Sequence, residues 1–596
     1  MPCVREILRQ GMTGSMDSTN LKSRRDDLLL VSILALVMAV RLFGINHGLP
    51  YGYQIDEKYV VNHAMAFGTG DFNPHAFQWP GTSLMFFVFL EYAITFVVGW
   101  LLQVFHSAKD FAGLFMSDPS IFYLEGRISI ALLGTATVFL TYRLGRQIYG
   151  PAVGLIGASF FGFSYIAVGI DHSIFPDTPL TFLAVAEMLL FQRILRQGSG
   201  AAYWQAGAVL GLAVATKYSG AAFILPFGIV HLLRVYEEGK GLGIGCLFDR
   251  RVLFFSGSAV VAFVLFCPFS ILDFSTFSRD LLWQFQRVHS GSFGTDVKNA
   301  WFYYIVHGLP NCVGVGLAAV SILGFFYAVG RRKKEDLPLI AFVAFYFLYI
   351  GNWKVGVDKY LLPILPFLGL FAALLVERGL RLKALSLHPL HRYAEVLCVL
   401  LLILEPLAYA IHSDYLLCQK DTRTLAKEWI EENLPQGTKI ALDSGNFDVA
   451  KFSPPLNDSK QSLQKEYSKL QEKFPETWAS SKEQIERYLD IKMKYLKGKT
   501  YELVHIVYAT DGSVDREVSL DAYAKDDVAY IVVSSYAYGV YDDPVYRERN
   551  PEAARYYGGF YHSLDSHCEL TKVFYPLSKR GPGPVIKIYR VLHNGA

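Results

Sequence analysis

Runs of about 20 apolar residues recur along the first two-thirds of the chain, each long enough to cross a hydrocarbon core of about 30 Å. In that medium every backbone N–H and C=O must be satisfied within the protein, so such runs fold as helices packed side by side. The runs fall near residues 28–46, 83–105, 123–143, 151–170, 178–195, 202–217, 219–235, 252–272, 307–330, 337–351, 360–377 and 393–412. With 52% hydrophobic and only 18% charged residues over 596 positions, the composition excludes an ordinary water-soluble enzyme of this length. The net charge of +3 decides nothing as a total; where the charges sit decides more.

The first 26 residues are polar and end near Lys22-Ser-Arg-Arg25. The run that follows, Leu28 to Ile45, is too long for a signal-peptide core and has no clear cleavage site, so it reads as an uncleaved anchor with a cytoplasmic tail over 1–26. Basic clusters lie at Arg143 and Arg146, Arg193 and Arg196, Arg250-Arg251, Arg331 to Lys334, and Arg378, Arg381 and Lys383. If every run crosses, these clusters face outward. If 83–105 does not cross, all of them land inside, as the positive-inside rule requires. The charges therefore predict about eleven spanning helices, with 83–105 interfacial or re-entrant. Glu91 fits partial exposure there.

On this topology residues 27–412 form the membrane domain, 47–122 its first outer loop, and 413–596 an extracytoplasmic domain. That last part reads as α/β: a helix over Asp421 to Asn433, strands over Thr438 to Leu442 and Ala529 to Ser534, and a charged, helical-period arm over about 457–495. The arm is either an exposed helical insertion or a partly disordered one. The seven Cys are Cys3, Cys246, Cys267, Cys312, Cys398, Cys418 and Cys568, and no pair has metal-ligand spacing. Cys418 and Cys568 share the tail and are either a disulfide or two free thiols.

The polar residues with chemical potential converge on the outer face. Asp56-Glu57 follows the first span in Gln54-Ile-Asp-Glu-Lys-Tyr59; Asp56 either caps an interfacial helix or serves chemistry at the lipid boundary. Asp177, in Phe175-Pro-Asp-Thr-Pro179, opens a helix and is a second cap candidate. Lys217, in Ala215-Thr-Lys-Tyr218, either snorkels to water or holds an anion. Lys359 and Tyr360, in Asp358-Lys-Tyr-Leu-Leu-Pro363, pose the same choice. Arg127 opens a span and either pairs with Glu125, Asp56 or Glu57 or binds an anion. Asp171 and His172 fall on the same side; Arg287 and His289 lie in the loop 273–306 without a local signature. No metal-binding spacing, nucleotide loop, internal repeat or nucleic-acid signature is present. A divalent metal held by two carboxylates and a phosphate is compatible with the sequence, but nothing in it calls for a cofactor.

The order of these motifs resembles the GT-C membrane glycosyltransferases, and within them the protein O-mannosyltransferase and lipid A aminoarabinose transferase superfamily. The likeness runs from the acidic pair through Trp79-Pro-Gly81, Arg127-Ile-Ser-Ile-Ala-Leu-Leu-Gly134, Tyr142-Arg-Leu-Gly-Arg146, Gly150, Asp177, Ala215-Thr-Lys-Tyr218 and Lys359-Tyr-Leu-Leu-Pro-Ile-Leu-Pro366. It covers about 28–412, and Asp421-Thr-Arg-Thr-Leu-Ala-Lys-Glu-Trp-Ile430 is similar to the start of the outer domain of bacterial relatives. The resemblance implies an integral membrane enzyme that moves a sugar, with inversion, from a polyprenyl or dolichyl phosphate to an acceptor hydroxyl on a protein, lipid or glycan. It implies Asp56 as general base, Glu57 as a catalytic-site residue that binds or orients the acceptor or the donor sugar, Asp177 as a second acidic residue of the cavity, and Arg127, Lys217, Lys359 and Tyr360 as donor-phosphate ligands. Two departures bear on the acceptor. Trp79 stands where aminoarabinose transferases carry a Lys, and the loop 273–306 is too short for the inserted luminal domain of the protein mannosyltransferases. The competing readings are a lipid or glycan transporter, which usually shows internal repeats, and a non-catalytic assembly factor on the same scaffold.

Overall fold

A computed structural model describes residues 15–78, 81–239, 241, 243–291, 295–380, 391–444, 449–464, 494, 498–507, 514, 518–578 and 581–592. The tail over 1–14, Trp79 and Pro80, Arg381 and Lys383, and nearly all of the charged arm lie outside them. The body is a helical bundle followed by a small sheet domain. Its main helices are α1 (Ser15–Leu42), α2 (Ile55–Phe67), α3 (Thr82–Leu101), α4 (Ala108–Ser117), α5 (Ser120–Tyr149), α6 (Pro151–Gly162), α7 (Tyr165–Ile170), α8 (Asp177–Gln197), α9 (Gly200–Thr216), α10 (Ile224–Glu237), α11 (Arg250–Phe266), α12 (Phe274–Ser290), α13 (Val315–Arg331), α14 (Leu337–Gly351), α15 (Leu365–Leu380) and α16 (His391–Leu417). Many outward-facing positions are large and apolar, among them Leu397, Leu400, Leu401 and Leu404 on α16. A water-soluble surface would not leave such a stripe bare; the chain is an integral membrane protein.

Among the described residues, six helices are long and apolar enough to span, or seven if Ala300–Val313 and Val315–Arg331, bent by 118°, make one crossing. This is fewer than the sequence count in part because α6, α9, α11 and α14 are only 12, 17, 17 and 15 residues long and the run before α13 is broken by Gly314 at a positive φ of 82°. α3 qualifies as a span by length and composition. Its contacts, however, keep it beside one end of the bundle. Ser83, at its start, bonds Thr216 at the end of α9 (2.8 Å). Thr95 bonds Glu125 near the start of α5 (2.5 Å). Phe96 packs on Phe111, and Phe111 on Phe122 at the start of α5.

The described residues of the basic clusters gather at the other end. Arg196, at the end of α8, bonds the Gln147 carbonyl at the end of α5 (2.9 Å). Lys334 pairs with Glu237 at the end of α10 (2.6 Å), and Arg331 lies over the Tyr149 ring. α8 alone, with Asp177 as its first residue and Arg196 in its last turn, separates the two ends by about 30 Å.

The tail is α/β. Helix α17 (Thr422–Asn433) is capped by Asp421, whose carboxylate accepts from the Arg423 N–H at 2.9 Å. Strands β1 (Lys439–Asp443), β2 (Asn457–Asp458), β3 (Thr500–Ile506), β4 (Tyr530–Ser534), β5 (Cys568–Phe574) and β6 (Ile586–Val591) form one sheet in the order β2-β3-β1-β4-β6-β5. The first four pair in parallel and the last two antiparallel. Buried Val and Ile of β1, β4 and β6 pack against α17 on one face and α18 (Pro551–His567) on the other. The predicted helix and both predicted strands thus form within one or two residues of their expected limits. Of the charged arm, residues 457–464, which hold the edge strand β2, and residue 494 are described. Cys418 and Cys568 are both free thiols.

Candidate active site

Asp56 is the second residue of α2, whose N-cap is Gln54. It is therefore not the cap, and its carboxylate is left for another partner. The helix turns Glu57, Val60, Val61, Ala64 and Phe67 inward, a spacing that puts them on one face. Asp56, one step round from that face, accepts a hydrogen bond from the Lys359 Nζ at 2.5 Å, with both side chains only partly buried. Burial alone would raise the Asp56 pKa. The charge and hydrogen bond of Lys359, joined by Arg287 and Lys217, outweigh it and hold the carboxyl below its ordinary range.

Lys359 and Tyr360 stand on the 3-10 helix Asp358–Ile364. Pro363 inside it has no N–H to give, which disfavours a regular α-helical start and suits a short 3-10 turn. Lys359 lies over the Phe175 ring at 4.4 Å, and Phe175 directly precedes Pro176 and Asp177. Asp177 is the first residue of α8, its N-cap is Pro176, and it makes no cap bond. Instead its Oδ1 accepts from Lys217 Nζ at 2.6 Å. Lys217 is where α9 stops: the backbone steps out to φ −158°, ψ 130° before the next helical turn. That break points the ammonium into the cluster, 4.9 Å from the Tyr360 ring centroid. Asp56, Lys359, Asp177, Lys217 and Tyr360 thus meet at one end of the bundle. They form two alternating ion pairs whose charges act on one another.

Glu57 and Arg127 differ from what the resemblance implies. Both are buried, Glu57 at 0% and Arg127 at 1% exposure. Arg127 donates Nε and Nη2 to the two Glu57 oxygens, each at 2.7 Å, and Nη1 to the carbonyls of Ile45 (2.7 Å) and His47 (2.9 Å). The Ile174 N–H adds a bond to Glu57 Oε1 at 3.1 Å. Neither side chain has a face left for a sugar or a phosphate. The pair is a strut that fixes α2, the chain after α1, and α5 around the segment before Asp177. Gly126 makes it fit: a Cβ there would come within 2.5 Å of Ile174. Asp171 is likewise structural, bonded to Arg41 on α1 at 2.6 Å and to Thr178 at 2.5 Å. His172 bonds the carbonyls of Val168 and Phe43 at 2.7 and 2.8 Å.

Sequence reasoning left Arg287 without a role. The structure puts it on α12 within the electrostatic reach of Asp56. An amphipathic helix in a loop offered no motif for this; the signal was a cation on an otherwise half-buried face. Among the described residues no group of three His, Cys, Asp or Glu side chains converges to hold a metal ion.

The chain is similar to known proteins in one family model and in several solved structures. The family model of the dolichyl-phosphate-mannose-protein mannosyltransferases matches residues 96–271. No curated protein matches the sequence. Among solved structures, ArnT from Cupriavidus metallidurans in the apo state superposes with a TM-score of 0.51 at 14% identity, covering 95% of this chain and 98% of that one. The same protein bound to undecaprenyl phosphate gives 0.47 at 13% identity over 94% and 97%. An Archaeoglobus fulgidus oligosaccharyltransferase tethered to an acceptor peptide gives 0.48 at 11% identity, over 95% of this chain and 74% of that one. The chain carries the GT-C fold with a C-terminal sheet domain, and it resembles the protein O-mannosyltransferase and aminoarabinose transferase superfamily.

Proposed function

We propose that this protein is a glycosyltransferase that moves a sugar from a polyprenyl- or dolichyl-phosphate donor to an acceptor hydroxyl, with inversion at the anomeric carbon. The observation that carries the reading is the Asp56–Lys359 pair set beside Asp177–Lys217 and Arg287. A carboxylate base and several cations at the end of an apolar bundle are what transfer from a lipid phosphate needs. The acceptor O–H gives its proton to Asp56, its oxygen bonds to the anomeric carbon, and the bond from that carbon to the phosphate oxygen breaks. The departing polyprenyl phosphate gains negative charge, which Lys359, Lys217 and Arg287 stabilise best where water is scarce.

The two ion pairs balance the charges of the site's own side chains. A donor phosphate competes with Asp56 for Lys359. As Lys359 turns to the phosphate, Asp56 loses the cation that depresses its pKa and becomes a stronger base when the substrate is in place. Lys359→Met tests this. Without the ammonium, burial governs Asp56, so it protonates at higher pH. The acid limb of the kcat/KM profile is expected to move upward, and donor KM to rise about 10–100-fold. An acid limb at the wild-type pH would remove Asp56 and Lys359 from this scheme.

The site end of the bundle is the extracytoplasmic face, since the basic clusters mark the other end as cytoplasmic. The described residues of 413–596 lie on the same side as the site, and α3 lies along that face without crossing. A Cys introduced at Asp110, in α4, is expected to label with a membrane-impermeant thiol reagent added from outside. Labelling from the cytosolic side alone would overturn this topology.

A further inference from the structure

We propose that the C-terminal domain holds Asp56 and Lys359 in register, with Tyr53, Arg423 and Arg549 as positioning residues. This rests on the function proposed above and assigns the outer domain a part in it. The two members of the pair stand on separate elements, Asp56 in the first turn of α2 and Lys359 in the 3-10 helix Asp358–Ile364. Each element is entered through a non-helical stretch, and the domain grips both stretches.

The first grip is on Tyr53, three residues before Asp56. Asp421 accepts from Arg423 Nε and Nη2 at 2.8 and 2.6 Å, and the guanidinium so held stacks on the Tyr53 ring, 3.9 Å from its centroid. Tyr53 and Thr424 share a hydrogen bond of 2.7 Å between their hydroxyls. The second grip is made by Arg549, the last residue of the short helix Pro544–Arg549. Its Nη2 donates to the Val297 carbonyl at 2.8 Å, and its Nη1 lies 3.2 Å from the Asp296 carboxylate. Asp296 in turn pairs with Val355 in an antiparallel bridge. The Val297 N–H donates to the Lys354 carbonyl at 3.0 Å and the Gly356 N–H to the Thr295 carbonyl at 2.9 Å. Val355 stands four residues before Lys359. The Lys354 N–H also donates to the Val288 carbonyl at 2.8 Å, so α12, one residue past Arg287, is tied to the same strap.

The two grips belong to one body. Arg423 is on α17 and Arg549 precedes α18, helices that pack on opposite faces of the sheet, the first through Ala426 and Ile430, the second through Ala553 and Tyr557. The sheet domain therefore sets the spacing between two connecting segments of the membrane domain, a class of segment that is otherwise mobile. Displacing a reacting group by about 1 Å can cost about 10²-fold in rate, so this spacing bears directly on the base and on the cation it faces.

The test measures sugar transfer by the full-length protein in detergent, with polyprenyl-phosphate mannose, glucose and aminoarabinose as donors and native membrane extract as acceptor. Wild type, Tyr53→Leu, Tyr53→Phe and Arg549→Met are compared, each checked for wild-type thermal stability. Tyr53→Leu leaves the Asp421–Arg423 pair intact and loosens the approach to Asp56, so kcat is expected to fall about tenfold with donor KM near that of wild type. Tyr53→Phe keeps the ring under Arg423 and is expected to retain most of kcat. Arg549→Met loosens the approach to Lys359, a donor ligand, and is expected to raise donor KM about three- to tenfold. In an Asp56→Asn background Tyr53→Leu is expected to cost nothing further, because it acts through the base. A tenfold loss that persists in that background, or wild-type kcat and KM in both Tyr53→Leu and Arg549→Met, would overturn the positioning role and leave the transferase standing. If wild type moves sugar from none of the three donors, the transferase reading itself fails, and this inference with it.

Discussion

Replacing Asp56 by Asn is expected to lower sugar transfer by about 10²–10⁴-fold, the range that a positioned general base contributes. The substitution keeps shape and one hydrogen-bond acceptor while removing the charge. It leaves the Glu57–Arg127 strut untouched, so the protein should insert and melt as wild type does. Lys359 loses its counterion, and its ammonium becomes more available to the donor phosphate. Donor affinity is therefore expected to hold or tighten while kcat falls. A variant that loses KM and kcat together, or keeps full activity, would show that Asp56 orients substrate or serves structure and is not the base.

The second large effect is structural. Arg127→Ala strips Glu57 of two charge-assisted hydrogen bonds and leaves the carbonyls of Ile45 and His47 without their donor. Breaking a buried ion pair by removing one partner costs about 3–5 kcal/mol, because the remaining charge is stranded. The variant is expected to lose thermal stability and to accumulate poorly in membranes. The pairing of Arg127→Met with Glu57→Met, which removes both charges at once, should recover much of that loss. If Arg127→Ala folds normally and fails only in donor binding, the arginine is a phosphate ligand after all. A stable Arg127→Ala with wild-type kinetics would make the strut dispensable.

Much of this was legible in the sequence, for reasons that can be located. The membrane bundle follows from apolar runs whose length is fixed by the bilayer. The α/β tail follows from strands such as Ile440-Ala-Leu442 and Tyr530-Ile-Val-Val533 beside a capped helix at Asp421. Asp56, Asp177, Lys217 and Lys359 each stand out in the sequence because a charge at the edge of an apolar run is costly unless used. Their pairing was not readable. Asp56 meets Lys359 across 303 positions of sequence separation, and Asp177 meets Lys217 across 40. Contacts of that range are set by how helices stack, which a local pattern does not encode.

The same limit explains Glu57 and Arg127. Adjacent to Asp56 in sequence, Glu57 shares its charge and its helix turn. One residue further round the helix, it faces the core and not the site. An arginine at the mouth of a span reads equally as an anion ligand and as a strut, and only its four hydrogen bonds distinguish the two. Helix count was also beyond reach of hydropathy alone. α3 is apolar enough to cross, and only its contacts with Thr216, Glu125 and the Phe111–Phe122 cluster keep it at one end.

The most direct measurement supplies purified protein with radiolabelled polyprenyl-phosphate mannose, glucose and aminoarabinose in parallel, with native membrane extract as acceptor. Label that moves from one donor to the extract, with polyprenyl phosphate released in equal amount and the anomeric configuration inverted, is the result expected here. Active membranes that exchange or translocate the donor lipid without cleaving its sugar–phosphate bond would contradict the transferase reading and make the protein a transporter.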